Sequence, residues 1–290
     1  VTNMNFAFNH CTKLANLTPL ENWNTKNVQS TENMFSICKS LTDLTPLCNW
    51  DVKNVHEMNV MFAGSGISSL SGLQRWFIDG SAEVTTSGMF YGCKNLTDLT
   101  AIKNWNTSNF DDMTYMFGNC ISLTSLNGLE NFKFNSGTYN GSIEGMFGHT
   151  DDIIEDGDDG CINLTDISAL ENWNTESLTS IDGLFSGCSS LSDISVLSKW
   201  DVSNVQWMID TFGSSGVSDL SPLANWNTGK AYYMNYMFDN CTNITDASPI
   251  NDWDISNVVA LNHMFSNCPS HPEFTKRKGS WNNGTFTPAT

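Results

Sequence analysis

Basic side chains are scarce in this chain, which has 13 lysines and arginines against 31 aspartates and glutamates and a formal net charge of −18 at pH 7. Nucleic acids and anionic membrane surfaces repel a protein of this charge, so neither is expected as a partner. The sequence also lacks an apolar run of the roughly 20 residues that a membrane-spanning helix requires. No transmembrane segment is therefore predicted.

Sequence motifs of catalysis are missing as well. No G-x-S-x-G, G-x-G-x-x-G or P-loop sequence occurs. No histidine stands in an H-E-x-x-H arrangement, and no cysteine pair has the spacing of a zinc site. The five histidines are scattered through the chain: His10, His56, His149, His263 and His271. We therefore expect a protein that is not an enzyme and that needs no cofactor.

A phenylalanine, usually preceded by methionine, recurs along the chain at steps of 26 to 38 residues. All twelve methionines stand one or four residues before it. Such a period indicates a solenoid, in which each unit buries its apolar side chains only against its neighbours. The sequence predicts about ten repeats, with phenylalanines at Phe8, Phe35, Phe62, Phe90, Phe117, Phe147, Phe185, Phe212, Phe238 and Phe265.

The secondary structure of one repeat can be predicted from the segment 41–70. Met58, Met61, Phe62 and Ser65 follow the spacing i, i+3, i+4, i+7, which predicts a short helix. The stretch 41–44 is short and bounded by turn-forming residues, so a parallel strand is predicted there.

Two further elements complete the predicted repeat. Thr45-Pro46 resembles an N-cap followed by a first-turn proline, which predicts a turn of helix after the strand. The corner Trp50–Val55 is expected to form a second short strand. Asparagines recur at this corner and are expected to bond to backbone groups of adjacent coils: Asn27, Asn54, Asn109, Asn204 and Asn257.

Eight of the nine cysteines stand three residues after the repeated phenylalanine, and Cys48 stands apart. One such residue per coil predicts a row of free, buried thiols that pack as small apolar groups. Parallel side chains on adjacent coils suit disulfide geometry poorly. The row consists of Cys11, Cys38, Cys93, Cys120, Cys161, Cys188, Cys241 and Cys268.

The repeat pattern divides the chain into a solenoid over 1–268, with an acidic insertion at 151–160, and a C-terminal cap or tail over 269–290. Insertions in solenoids form loops at one edge, so the coil is expected to resume at Cys161. The chain opens in the middle of a repeat. We therefore expect a mature or excerpted part of a longer protein.

The repeats resemble the BspA-like branch of the leucine-rich-repeat surface proteins. The likeness lies in a Met-Phe-x-x-Cys-x-x-Leu core, as in 116–123, and a Trp-Asp-x-Ser-Asn-Val corner, as in 253–258. It implies an α/β solenoid, that is, a right-handed coil with short parallel strands and short helices. It also implies secretion or display at the cell surface, adhesion, and no catalytic residues. The Leu-x-x-Leu-x-Pro-Leu phrase is also similar to internalin-type repeats, which would place the main strand at 55–62.

A row of aspartates is the first candidate binding surface. One aspartate recurs at the same position of the predicted strand, flanked by Thr or Ser. In the structural interpretation each carboxylate accepts a hydrogen bond from its own turn. In the functional interpretation the row is an electronegative surface that takes up a cation or a basic partner. The row consists of Asp43, Asp98, Asp166, Asp193, Asp219 and Asp246.

The acidic insertion is a weak candidate for calcium binding, because Ca²⁺ prefers hard oxygen ligands. The ligand order of an EF-hand is absent, and a solvated acidic loop is the structural alternative. The candidate ligands are Asp152, Glu155, Asp156, Asp158 and Asp159.

Resemblance and composition together predict an extracellular or surface-displayed recognition module that binds a protein or a glycan. The alternative is a structural element, namely a spacer, stalk or filament subunit that assembles through repeat stacking.

Overall fold

A computed structural model describes residues 1–77, 83–134, 141–149 and 159–289. Its core is a continuous row of phenylalanine rings, one from each repeat, in the order predicted from the sequence. Neighbouring ring centroids from Phe8 to Phe265 lie 4.9–6.3 Å apart, and the ring planes are nearly parallel. The chain therefore folds as a solenoid-like stack of repeated coils.

The short helix predicted at the Met-Phe segment is wrong: no α-helix occurs within the described ranges. In the coil of Phe35 the N–H groups alternate between two kinds of acceptor. Met34 N–H bonds within the coil to the Thr31 carbonyl at 3.1 Å, whereas Phe35 N–H bonds to the Met61 carbonyl of the next coil at 2.8 Å. A helix needs an unbroken run of bonds within the segment. The apolar spacing arises here from consecutive turns instead.

Backbone dihedral angles explain this alternation. Residues two before and two after the phenylalanine mostly have positive φ, as Asn33 does at 56° and Ile37 at 59°. Left-handed residues at this interval break any helix and turn every second N–H toward the neighbouring coil. Each coil therefore donates up to four bonds to the next.

Helical structure is confined to single turns of 3₁₀-helix at the position of the Thr-Pro phrase. The N-cap of the turn that begins at Thr45 is Leu44, so the prediction that Thr45 is the N-cap is wrong. The seven turns in the described part of the chain are Thr18–Leu20, Thr45–Leu47, Thr100–Ile102, Ser168–Leu170, Ser195–Lys199, Ser221–Leu223 and Ser248–Ile250.

Parallel pairing runs along a different position from the one predicted. Strands β1 (Val84–Thr85) and β2 (Phe110–Asp112) pair in parallel. Isolated bridges between residues five before the phenylalanines continue this ladder from Asn3 to Thr85 and again from Ser142 to Ala260. The strands predicted at 41–44 and at Trp50–Val55 do not form. At the repeat position that corresponds to 41–44, isolated bridges such as Asp219↔Asp246 join neighbouring coils. The ladder lies at the position of the alternative frame, 55–62.

Buried polar atoms bond from coil to coil. Trp50 Nε1 donates to the Leu20 carbonyl of the preceding coil at 3.1 Å. Six further tryptophans make the equivalent bond: Trp76, Trp105, Trp173, Trp200, Trp226 and Trp253. The predicted corner bonds are confirmed at Asn54, Asn204 and Asn257, whose Nδ2 atoms donate to carbonyls of the preceding coil.

All nine cysteines are free thiols, as predicted. Burial is confirmed for six of the eight in the row. Cys11 is exposed and Cys268 is only partly buried, because each belongs to a coil at one end of the stack.

An antiparallel hairpin, β3 (Gly279–Asn282) and β4 (Thr285–Pro288), follows the last coil. The Trp281 ring packs edge-on against Phe265 at 5.5 Å, and the Phe265 N–H bonds to the Gly284 carbonyl at 3.0 Å. Phe274 and Phe286 are buried beside Trp281. The hairpin thus covers the phenylalanine at the C-terminal end of the row.

Candidate binding surface

The aspartates of the predicted row accept hydrogen bonds from their own turns. The Oδ1 atom of each accepts a hydrogen bond from the backbone N–H two residues later at 2.8–2.9 Å. The N–H and hydroxyl of Ser195 hold the pKa of Asp193 below its ordinary value. Bonds from Ser168 do the same for the pKa of Asp166. These are the turn-capping bonds of the structural interpretation.

Of the five calcium candidates, Asp152, Glu155, Asp156 and Asp158 lie outside the described residues. Asp159 is exposed. Across the described ranges, no three His, Cys, Asp or Glu side chains are grouped so as to hold a metal ion.

A second surface is defined by the parallel ladder. We call it the ladder face and define it by ten nine-residue segments, each running from six residues before the repeated phenylalanine to two after it. No lysine or arginine occurs in any of these segments, so all 13 basic side chains lie elsewhere. The segments are 2–10, 29–37, 56–64, 84–92, 111–119, 141–149, 179–187, 206–214, 232–240 and 259–267.

Large side chains with aromatic or apolar surface are exposed on three adjacent segments of the ladder face, 206–214, 232–240 and 259–267. The Trp207 and Tyr233 rings stack at 6.5 Å across a parallel bridge, and their exposed fractions are 37% and 36%. Tyr232, Tyr236 and Val259 are also exposed. Trp207, Tyr232, Tyr233, Tyr236 and Val259 together form what we call the aromatic patch.

A groove adjoins the aromatic patch. It has a volume of about 400 Å³, and Trp207 forms its border with the patch. Two carboxylates line it, Glu144 and Asp182, which come from consecutive coils. Its other lining residues are Thr114, Ser142, Thr179 and Ser180.

Both carboxylates that line the groove accept a hydrogen bond. Glu144 Oε1 accepts a hydrogen bond from the Tyr115 hydroxyl at 2.6 Å, and Asp182 Oδ1 accepts one from the Ile209 N–H at 2.6 Å. Burial raises the pKa of Asp182 to about 7, and the charges of Glu144 and Asp210 add to this rise. The surface thus holds negative charge that no lysine or arginine of its own segments faces.

Asp210 is a third carboxylate of this surface and lies on the coil after that of Asp182. Its Oδ2 accepts a hydrogen bond from the Ser186 hydroxyl at 2.6 Å, and Ser186 Oγ lies 3.2 Å from His149 Nδ1. Burial raises the pKa of Asp210, and the nearby His149 partly opposes the rise. Each of these residues lies on the ladder face.

Sequence reasoning did not find this surface, although one signal was present. The position five before the phenylalanine is polar in most coils, as with Asn3, Ser30 and Glu57, but it holds Trp207 and Tyr233 in two consecutive coils. An aromatic pair at a position that is polar in other coils, and exposed at Asn3 and Glu57, indicates an exposed contact.

The fold and this surface define the class of the protein: it is a solenoid-like repeat protein. It belongs to the family described as "Mycoplasma protein of unknown function, DUF285", whose profile matches residues 1–84, 67–158 and 159–281. A comparison with curated protein sequences finds no match.

Among solved structures, the chain is similar to an internalin (inlF) from Listeria monocytogenes strain 4b F2365. The identity is 15%, the match covers 85% of this chain and 76% of the internalin chain, and the TM-score is 0.30. So low a score carries no functional argument. The described residues contain no helix both long and apolar enough to cross a bilayer.

Proposed function

We propose that the protein is a non-enzymatic recognition module, secreted or displayed at the cell surface, that binds a partner protein through the ladder face. The observation that carries the proposal is the aromatic patch. Exposed Trp and Tyr clusters are enriched at protein interfaces, where they supply large contact areas at low conformational cost. About ten BspA-like repeats would hold this surface, and the hairpin would cap the solenoid over 269–290.

Rigidity of the scaffold supports this function. Trp207 and Tyr233 lie on a backbone that is bonded to both neighbouring coils, and Met208 and Met234 beside them are fully buried. A backbone held in this way loses little conformational freedom on binding.

Binding to a glycan, calcium binding by the insertion, and recognition by the aspartate row remain predictions from the sequence, as does the alternative role as spacer or filament subunit. The aspartate row is the weaker candidate because its carboxylates already accept hydrogen bonds from their own turns.

The proposal is tested by panning a phage-displayed library of random dodecapeptides against the full chain. The variant Trp207→Ser/Tyr233→Ser serves as the counter-target. We expect peptides that are retained by the native chain and lost on the variant. Equal retention by both would refute recognition through the ladder face.

A further inference from the structure

We propose that the partner of the ladder face is a basic segment of a protein, with one lysine or arginine side chain seated in the groove between Glu144 and Asp182 and apolar side chains packed on Trp207 and Tyr233. This inference rests on the proposed function and adds the chemistry of the partner.

The charge distribution of the ladder face favours a cation. The four segments from 141 to 240 carry Glu144, Asp182, Asp210 and Asp239, and no lysine or arginine accompanies them. The described salt bridges join residues off this face, as Lys199 and Glu171 do. A positive group from a partner would meet complementary charge here.

The groove suits a side chain that carries both an apolar stem and a charge. Glu144 and Asp182 supply carboxylates, and Trp207 borders the same groove. Lysine and arginine stems pack on aromatic rings while their charged ends reach an acid, and a cation near an indole face gains further attraction. An acidic or neutral side chain would bring no positive charge to these half-buried carboxylates.

The length of the surface fits a short stretch of chain. Ser142, Ser180, Trp207 and Tyr233 are joined in sequence by parallel bridges, so the groove and the aromatic patch lie on consecutive coils. Three coil spacings of about 4.8 Å span roughly 15 Å, which is the length of about five extended residues. A peptide of that length could fill the groove and cover the aromatic pair.

A second copy of this chain is a poorer occupant. Two ladder faces brought together would place carboxylates opposite carboxylates, since neither contributes a lysine or arginine. Like charges juxtaposed in an interface disfavour association.

The test uses single peptides from the panning experiment, synthesised and titrated by calorimetry into three forms of the full chain: native, Glu144→Gln/Asp182→Asn, and Asp193→Asn/Asp219→Asn. The last variant is a charge-matched control on the aspartate row, where the amide oxygen of asparagine can still accept the hydrogen bond from the turn. Circular dichroism confirms that all three are folded.

We expect the peptides to share a lysine or arginine. The Glu144→Gln/Asp182→Asn variant and a lysine-to-norleucine peptide should each bind about tenfold more weakly or worse, and the control should match the native chain. The inference of a basic partner would be overturned by peptides that require Trp207 and Tyr233 but contain no lysine or arginine. Peptides that bind the Glu144→Gln/Asp182→Asn variant as tightly as the native chain would overturn it too. In both cases the proposed function would still stand.

Two other results would overturn the inference. A dependence on Asp193 and Asp219 would move recognition to the aspartate row. A native dimer in analytical ultracentrifugation that Trp207→Ser/Tyr233→Ser dissociates would make the surface a contact between copies.

Discussion

The hydroxyl of Ser65 lies 3.6 Å from the thiol of Cys93 on the next coil, so a serine continues the row of cysteines. The Cys93 thiol in turn donates to the Phe62 carbonyl at 3.2 Å. The row is therefore a set of weak donors to backbone carbonyls between coils, a role that a hydroxyl can also fill.

Thiol reactivity should divide sharply along this row. Burial raises the pKa of Cys93 to about 12, so almost none of it is thiolate at pH 8. Cys11 is exposed. We expect iodoacetamide to modify Cys11 in the native protein roughly a hundredfold faster than Cys93, as followed by peptide mass spectrometry. Comparable rates at the two sites would contradict a buried row, and the denatured protein supplies the control in which the two rates converge.

Removing one cap of the aspartate row should weaken the fold locally. Asp193→Ala deletes the acceptor of the Ser195 N–H and should cost about 0.5–1 kcal/mol in the free energy of urea unfolding, the usual net contribution of one hydrogen bond. Asp193→Asn is the matched control and should cost less, because an amide oxygen can still accept the bond.

The stabilising effect of Asp193 should depend on pH. Its pKa in the folded state is lowered, so the stabilising effect is present above the unfolded pKa of about 4 and is lost as the pH falls through the folded value. The alanine and native proteins should therefore converge in acid. A difference that persists unchanged at low pH would argue against the carboxylate as the cap.

Val60 carries backbone strain that asparagine should relieve. Its φ is +58°, a left-handed value that β-branched residues rarely adopt and asparagine tolerates. We expect Val60→Asn to raise the free energy of unfolding by about 1 kcal/mol. Val259→Asn is the control, since this exposed valine is not among the residues with positive φ. Equal effects of the two substitutions would remove backbone strain as the cause.

Asp182 should destabilise the protein as the pH rises. Its pKa is raised to about 7, mainly by burial and then by Glu144 and Asp210, above an unfolded value of about 4. The folded state therefore binds the proton more tightly, and stability is lost as the pH rises from about 4 through 7.

Asp182→Asn cannot ionise and can still accept the Ile209 N–H bond. It should match the native protein near pH 4 and exceed it by on the order of 1 kcal/mol at pH 8 in urea unfolding. A native protein that is equally stable or more stable at pH 8 would show that the carboxylate is well solvated.

The sequence predicts the stacking of this fold better than its local geometry. The period of Phe35 and Phe62 determines which rings meet, because every coil repeats the same burial. The conformation between them is not readable from apolar spacing, since turns with a residue such as Ile37 at positive φ produce the same i, i+3, i+4 pattern as a helix.

The candidate surface was harder to predict for a similar reason. The aspartate row could be found from the sequence because one aspartate recurs at the same position of the repeat. A residue that recurs in this way has a structural role in each coil. Trp207 and Tyr233 depart from the repeat, and their exposure depends on which position the ladder turns outward.

The most direct test of recognition by the ladder face is hydrogen exchange of the full chain with and without a peptide from the panning experiment. We expect slower exchange in segments 179–187, 206–214 and 232–240, with little change in the turns Ser195–Lys199 and Ser221–Leu223. Slowing confined to those turns, with the ladder segments unchanged, would contradict it.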